Sequence, residues 1–233
     1  MAIRSLPWLR LGAEFVVIVV GVLVALAVDQ WRTSVDQRAL ELEYAQRLKV
    51  ALAADTVRFS DFEEPLAAKL GMLHDLLEAR RTPFVVESPE QFMSRLRFSI
   101  YVAIPEVRSE VFREMESSGY LGLLTDPSLR DELGAYYALH AFMSGILQDS
   151  YGDYREVVTG ALPGGLWYAA EVDSTAVDSE GLERGLQTLM NHPQLESAVN
   201  TELAYATTMT GYVRQFHDRA TALLARLNSA YPE

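Results

Sequence analysis

Side chains that commonly carry catalysis or metal binding form no recognisable site in this sequence. The four histidines, His74, His140, His192 and His217, never fall at a metal-ligand spacing such as i, i+4. No cysteine is present, which excludes disulfides, thiolate metal sites and a cysteine nucleophile. There is no glycine-rich phosphate loop, nucleophile elbow or EF-hand calcium loop. We therefore predict a protein that is not an enzyme and that uses no metal and no cofactor.

A polar corner in the middle of the chain is the second place where chemistry is conceivable. Ser118 and Gly119 follow one predicted helix, and Arg130, Tyr136 and Tyr137 lie in the next, which begins with an Asp-Pro pair. Amides at a helix N-terminus attract anions. In one interpretation, Arg130 and these amides hold a small anionic ligand.

A structural role for the same corner is the interpretation that we favour. Gly119 makes a tight turn between the helices, and Leu121 and Leu129 pack beneath it. Arg130 then pairs with a nearby acid such as Glu116. Tyr136 and Tyr137, just beyond this corner, form its core and its wall.

The most informative charged residue is Glu14, which precedes an uncharged run over residues 15–28. Turns of helix counted from Glu14 place Ile18, Gly21 and Ala25 on the same face. Gly21 and Ala25 are a small-xxx-small pair, the spacing that allows two membrane helices to approach closely. These four residues predict a self-association face with Glu14 lining its centre.

Two other roles for Glu14 remain open. A carboxylate inside the hydrocarbon layer is costly, so it usually faces a partner, a bundle interior or water. Glu14 could be protonated, or paired with Arg10 one turn earlier, without any further role. It could also line an ion or proton pathway.

The uncharged run predicts one transmembrane helix over residues 11–28. At ~1.5 Å per residue this segment is about 27 Å long, close to the ~30 Å thickness of the hydrocarbon layer. Trp8 and Trp31 flank it and suit the two interfacial aromatic belts. The alternatives are a signal peptide cleaved after Ala25-Leu26-Ala27 and a buried soluble helix. Valine, isoleucine and leucine on every side of the helix argue against the buried helix.

The charge distribution bears on partners and on orientation. The formal net charge is −12, and an acidic surface argues against nucleic acid and against lying on anionic lipid. Arg4 and Arg10 precede the helix, which favours a cytoplasmic N-terminus and an exported domain. Arg32 and Arg38 lie just past the C-terminal end of the membrane helix and favour the opposite orientation.

The remaining chain reads as helical throughout. A short tail at residues 1–10 precedes the membrane helix. Residues 29–64, which follow it, are predicted to form a stalk helix, because there is no glycine or proline from residue 29 to residue 62. Arg38 and Lys49 fall on one candidate coiled-coil seam, so we expect the stalk to pack against its own domain. Residues 65–233 predict an all-α, antiparallel helical-bundle domain. Its predicted helices begin near Pro65 and cover residues 89–102, 108–118, 126–160, 182–191 and 194–228, with an acidic loop at 171–181.

Three stretches of this chain resemble an uncharacterised family of bacterial single-pass membrane proteins. They are Ala13-Glu14-Phe15 with the apolar run and Asp29-Gln30-Trp31, then Leu42-Glu43-Tyr44 with Leu48 and Asp55, and then Ser117-Ser118-Gly119-Tyr120-Leu121 with Asp126, Leu129-Arg130 and Tyr136-Tyr137. The chain departs from the family's Asn-Asn-Trp exit and from its Gly-Glu pair. The likeness covers the first sixty residues and the middle segment, and it hardly extends to the last seventy. It implies the topology and the helical domain, in a bacterial inner membrane, and no activity.

Three functional hypotheses follow. The first is a non-enzymatic, membrane-anchored scaffold or accessory subunit that self-associates through its membrane helix, with the lipid bilayer and a second membrane protein as further partners. The second is a ligand-sensing bundle; since about ten residues precede the membrane helix, it would act through a separate membrane partner. The third is an ion- or proton-conducting assembly that uses Glu14.

Overall fold

The computed structural model describes residues 8–80, 89–100, 105–148, 153–162 and 179–232. Within these ranges the chain is all-α and has no β-strand, as predicted. The helices are α1 (Trp8–Asp61), α2 (Glu63–Ala79), α3 (Pro89–Ile100), α4 (Glu110–Ser118), a short 3-10 helix (Tyr120–Leu123), α5 (Pro127–Gln148), α6 (Asp153–Ala161), α7 (Ser179–Met190) and α8 (Leu195–Ala230).

The first helix is the longest element and projects out of the domain. Every residue from Gly12 to Ala39 is exposed, and Glu41 is the first buried one. This free length is about 42 Å at ~1.5 Å per residue. The helix breaks only at Phe62, after which α2 begins with Glu63 and Glu64, acids that suit the positive end of a helix.

The domain is built around α8, which runs antiparallel to both α1 and α2. Phe59 near the end of α1 packs on Phe216 of α8, with ring centroids 5.8 Å apart. Farther along, Lys69 of α2 pairs with Glu202 of α8. The stalk therefore packs against its own domain from residue 40 onward.

Two hydrophobic clusters fill the domain. The proximal cluster, nearer the projecting helix, joins α1, α4, α5 and the C-terminal half of α8 around Leu48, Tyr136 and Phe216. The distal cluster joins α2, α3, α6, α7 and the N-terminal half of α8 around Met72 and Leu189. Since α8 contributes to both clusters, it holds them together.

Several predicted boundaries shift in the structure. The fourth helix begins at Glu110 and not at 108, because residues 105–109 are held as a non-helical segment. In that segment, the amide of Arg108 donates to Asp55 and the carbonyl of Pro105 accepts from His140. The acidic loop was expected to reach residue 181, but α7 already begins at Ser179. Residues 171–178 of that loop, and residues 149–152 of the predicted helix 126–160, lie outside the described ranges.

Candidate functional site

The projecting part of α1 is apolar on every side. The large apolar residues between Phe15 and Val28 are between 38% and 70% exposed. Among the described residues, one helix near the N-terminus is long and apolar enough to cross a membrane, and its apolar run lies on α1. The chain is thus an all-α protein with one candidate membrane-spanning helix.

The four predicted face residues all lie on this helix. Because α1 is continuous from Trp8 to Asp61, Glu14, Ile18, Gly21 and Ala25 share one side of it. A Cβ atom built on Gly21 meets nothing within 4 Å outside the helix's own backbone, so the described chain leaves this side open. Glu14 is exposed and makes no ion pair with any side chain that the structure describes. The side chain of Arg10, its alternative partner, lies outside the described part.

The two tryptophans differ in what the structure describes. Trp31 is 70% exposed, one turn past the apolar run. Trp8 begins α1, but its side chain lies outside the described part. Beside Trp31 the hydroxyls of Thr33 and Ser34 donate to carbonyls one turn earlier, at 3.0 and 2.8 Å, so these polar groups are satisfied within the helix.

A buried polar clamp holds α1 where it enters the domain. The Glu41 carboxylate accepts from Tyr231 Oη at 2.6 Å, from Arg38 Nη1 at 2.5 Å and from the Thr125 amide at 3.3 Å. Burial raises the pKa of Glu41, but the hydrogen bonds from Tyr231 and Arg38 outweigh it and leave that pKa below its ordinary value. Lys49 donates to the backbone carbonyl of Tyr231. The end of α8 is thereby bonded to the base of the projecting helix.

A second polar contact ties α1 to α4. The Glu114 carboxylate accepts from Tyr44 Oη at 2.7 Å and from the Arg47 guanidinium. The Arg47 guanidinium also lies over the Tyr44 ring, 4.9 Å from its centroid. Hydrogen bonds from Arg47 and Tyr44 lower the pKa of Glu114.

The predicted corner forms, with Gly119 as its turn residue. Gly119 has φ = 75°, a left-handed conformation that favours glycine, and it ends α4 as predicted. Leu129 is buried and Leu121 is partly buried in the proximal cluster. Ser118 is exposed, and its hydroxyl donates to the Glu114 carbonyl of its own helix at 2.6 Å.

Arg130 was expected either to hold a small anionic ligand or to pair with Glu116, and the polar contacts of the corner match neither expectation. The ion pair expected between Arg130 and Glu116 is absent among the described residues; instead Arg226 pairs with Asp126 and Glu132. The Asp126 carboxylate accepts from the first amides of α5, those of Ser128 and Leu129, at 2.9 and 3.3 Å. A side-chain anion therefore already occupies the helix end that an anionic ligand would need.

Tyr136 and Tyr137 are both buried, but they lie toward α1 and α4. Tyr136 Oη donates to Asp55 Oδ2 at 3.0 Å, and the Arg108 amide donates to Asp55 Oδ1 at 2.9 Å. Tyr137 stacks on Phe112 with ring centroids 4.7 Å apart. Burial raises the pKa of Asp55 more than these hydrogen bonds lower it. Asp55 is thus a buried acid that joins α1, α5 and the segment before α4.

Sequence reasoning gave Asp55 no role beyond the family likeness, although one pattern pointed to it. Leu48, Leu52, Asp55 and Phe59 recur every three or four residues on the buried face of α1. A polar residue on such a face must find partners inside the fold. Glu41, Lys49 and Lys69 are buried on packed helix faces in the same way, and each is paired.

His140 is the one buried histidine among the described residues. No group of three or more histidine and acidic side chains in the described ranges is placed to hold a metal ion. His140 is buried with Nε2 2.9 Å from the Pro105 carbonyl, and burial lowers its pKa. Its role in the fold is to hold the segment at residues 105–109.

One groove lies on the outside of the domain between α1 and the start of α4. It has a volume of about 300 Å³ and is lined by Gln46, Arg47, Val50, Ala51, Arg108, Glu110 and Val111. Its surface is mostly apolar and it opens to solvent. It therefore differs from the dry, polar-floored pocket that a ligand sensor would need.

Comparisons with protein-family models, with curated proteins and with solved structures give no match to this chain. The likeness to a family of bacterial single-pass membrane proteins therefore stays a prediction.

Proposed function

We propose that this protein is a non-enzymatic, membrane-anchored helical scaffold or accessory subunit that self-associates through α1. The membrane is a bacterial inner membrane, the N-terminus is cytoplasmic, and the helical domain is periplasmic. The single observation that carries this proposal is the continuity of α1. One helix is apolar on all sides at its start and part of a packed, clamped domain at its end.

The magnitude of the exposed apolar surface supports the anchor. Eleven large apolar side chains between Phe15 and Val28 leave roughly half of their surface uncovered. Full burial of each is worth about 1.5–3 kcal/mol, so their exposure to water would cost roughly 10–20 kcal/mol. That equals or exceeds the net stability of an ordinary domain. A lipid layer removes this cost without a protein partner.

Self-association is supported by the face of α1 that carries Glu14, where contact with lipid is unfavourable. Glu14 places a carboxylate beside the apolar run, where a bare charge facing lipid is costly and a neighbouring helix offers a more favourable surrounding. Gly21 and the exposed Ala25, on the same face, leave the backbone open to a close neighbour. A second copy would bury this face, including Glu14.

The clamp at Glu41 supports a mechanical role for the stalk. Glu41 is about 20 Å beyond Val28 at ~1.5 Å per residue. Residues 29–39 are exposed, and no other described element packs on them, so this part of α1 would hold the domain at that distance from the lipid. Because the Tyr231 hydrogen bond fixes α1 to the end of α8, an association of membrane helices sets the spacing and orientation of whole domains.

The experiment compares two small-to-large variants on opposite sides of α1. Gly21→Leu fills the proposed face. Gly12→Leu makes the same change nine residues, or two and a half turns, earlier, and therefore on the opposite side of α1. Neither position has an atom within 4 Å outside its own helix backbone, so each monomer tolerates the change. Size-exclusion chromatography with light scattering in mild detergent should give a smaller mass for Gly21→Leu alone. Equal masses for both variants and wild type would overturn the proposal.

A further inference from the structure

The outward side of α1, from the projecting stalk into the domain, is unusually apolar. Val35, Leu42, Val50 and Val57 are 50%, 44%, 55% and 59% exposed. The solvent side of a domain helix normally carries charged and polar residues. The described chain leaves these four side chains uncovered over about 33 Å of helix, at ~1.5 Å per residue.

These side chains continue the proposed membrane face without a change of direction. We define the outer stripe as Val35, Ala39, Leu42, Gln46, Val50, Ala53 and Val57. Successive members are three or four residues apart, and the same steps lead back through Arg32 and Val28 to Ala25, Gly21, Ile18 and Glu14. Steps of three and four keep residues on one side of a helix. Because α1 is unbroken to Asp61, one side of it runs from inside the membrane span to the outer stripe.

The charge distribution identifies which surface two copies could share. Residues 1–61 contain seven basic and seven acidic residues, so the whole formal charge of −12 lies in residues 62–233. Two copies therefore repel one another through most of their surface and least along α1. An unrelated cationic partner would instead be attracted to the acidic remainder of the domain.

The edges of the stripe are complementary in a parallel pair. With the stripe as the seam, Arg38 of one helix lies beside Glu43 of the other, the offset at which flanking residues of coiled coils form ion pairs. Arg38 already contacts Glu41 in its own chain, yet its side chain is 54% exposed. Glu43 is exposed as well. A shared membrane anchor imposes the parallel orientation that this pairing requires.

The groove between α1 and α4 borders the same stripe. Val50 and Gln46 belong to the stripe and also line the groove. Its volume of about 300 Å³ is larger than one aliphatic side chain, and its surface is mostly apolar. Side chains of one helix insert into such gaps on its neighbour when helices pack.

We propose that the outer stripe, together with the groove beside Val50, binds the α1 helix of a second copy in parallel and in register. The contact continues the membrane interface through the stalk to Val57, so that the two domains stand back to back. This inference rests on the proposed function, because the membrane contact aligns the two helices. It adds the surface by which the domains outside the membrane recognise each other.

The absence of cysteine allows a direct test in the full-length protein. Single variants Val28→Cys, Val50→Cys and Val57→Cys are treated in native membranes with a short bis-maleimide crosslinker. Thr208→Cys and Thr221→Cys, exposed on α8, serve as matched controls. We expect dimer bands at all three α1 positions, at least fivefold stronger than at the controls.

Each other outcome has its own meaning. A dimer at Val28→Cys without dimers at Val50→Cys and Val57→Cys would overturn this inference and leave the proposed function standing. Crosslinking at the controls as strong as on the stripe would overturn the inference too. No dimer at any α1 position would contradict both.

A second variant tests the stripe through charge. The double substitution Val50→Glu and Val57→Glu is introduced into the Leu42→Cys variant. In the proposed pair it places the new carboxylates of one copy opposite those of the other. The Leu42→Cys crosslink should fall at least fivefold, whereas crosslinking at Val28→Cys in the same double-glutamate background should fall less. The two valines are exposed, so circular dichroism should report an unchanged fold. An unchanged Leu42→Cys crosslink would overturn the inference.

Discussion

The hydroxyl of Tyr231 donates a 2.6 Å hydrogen bond to Oε1 of Glu41, and these residues are 190 positions apart in the chain. Both residues are buried, at 4% exposure each. The contact fastens the end of the last helix to the first helix just after it leaves its exposed stretch. It makes the projecting helix and the domain one mechanical unit.

Removal of this hydrogen bond should loosen the clamp. Tyr231→Phe keeps the ring but leaves Glu41 with one donor fewer, and hydrogen bonds to charged groups are worth more than neutral ones. We expect a loss of about 1.5–3 kcal/mol in the free energy of unfolding, measured by urea denaturation in detergent. Tyr120→Phe is the control, since no described residue bonds the Tyr120 hydroxyl. Equal losses in both variants would contradict the clamp.

The buried Asp55 should make stability depend on pH in a particular direction. Burial raises its folded pKa above the unfolded value, so the folded state takes up the proton first as the pH falls. Its ionised form therefore lowers stability above the folded pKa, and this cost disappears progressively as the pH falls through that pKa. The Asp55→Asn variant has no ionisable group at this position and therefore lacks this pH-dependent contribution to stability.

The measurement for Asp55 is urea unfolding of both proteins between about pH 7.5 and about pH 4. Wild type should gain stability relative to Asp55→Asn as the pH falls. Asp61→Asn, an exposed acid on the same helix, controls for the general effect of charge. A difference between wild type and Asp55→Asn that stays constant over the series would refute the assignment.

The buried ion pair between Lys69 and Glu202 should behave as a coupled unit. Their side chains are only 4% and 10% exposed. Lys69→Met leaves the Glu202 charge buried without a partner, which should cost about 3–5 kcal/mol. Adding Glu202→Leu should restore stability to within about 1 kcal/mol of wild type, because neither charge is then buried.

An exposed pair provides the matched comparison for that cycle. Arg95 and Asp75 are 48% and 43% exposed, and Arg95→Met should cost less than about 1 kcal/mol. Chemical denaturation measures all four proteins. A Lys69→Met variant as stable as Arg95→Met would show that the Lys69 pair is not desolvated.

Any side chain at Gly119 should destabilise the fold, because the backbone there is left-handed. At φ = 75°, Gly119→Ala should lower the free energy of unfolding by about 1 kcal/mol, although the space around it is open. Gly122→Ala, in the adjoining 3-10 helix and with equally open space, is the control and should cost less. Thermal unfolding followed by circular dichroism compares the two. Equal effects would mean that the backbone conformation is not what demands glycine.

Helices were predictable from the sequence because their signals are local. Apolar repeats three or four residues apart, Pro89 and Pro127 at helix starts and Gly119 after a helix end all act within a few residues. The buried face of α8 repeats in the same way, through Met209, Tyr212, Phe216, Leu223 and Leu227.

The polar contacts were not predictable, because they join distant parts of the chain. Glu41 meets Tyr231 and Asp55 meets Tyr136 only after the helices have packed. The ion pair expected for Arg130 was wrong for a related reason. Local proximity suggested Glu116, whereas α8 brings Arg226 to the acids at the start of α5.

The central claim, that α1 brings copies of this protein together in the membrane, is tested most directly by counting copies in lipid. The wild-type protein is extracted from membranes straight into polymer-bounded lipid discs, and its mass is measured at decreasing protein-to-lipid ratio. We predict at least two copies per disc at every ratio, and a single copy for Gly21→Leu. A single wild-type copy per disc at every ratio would contradict the account.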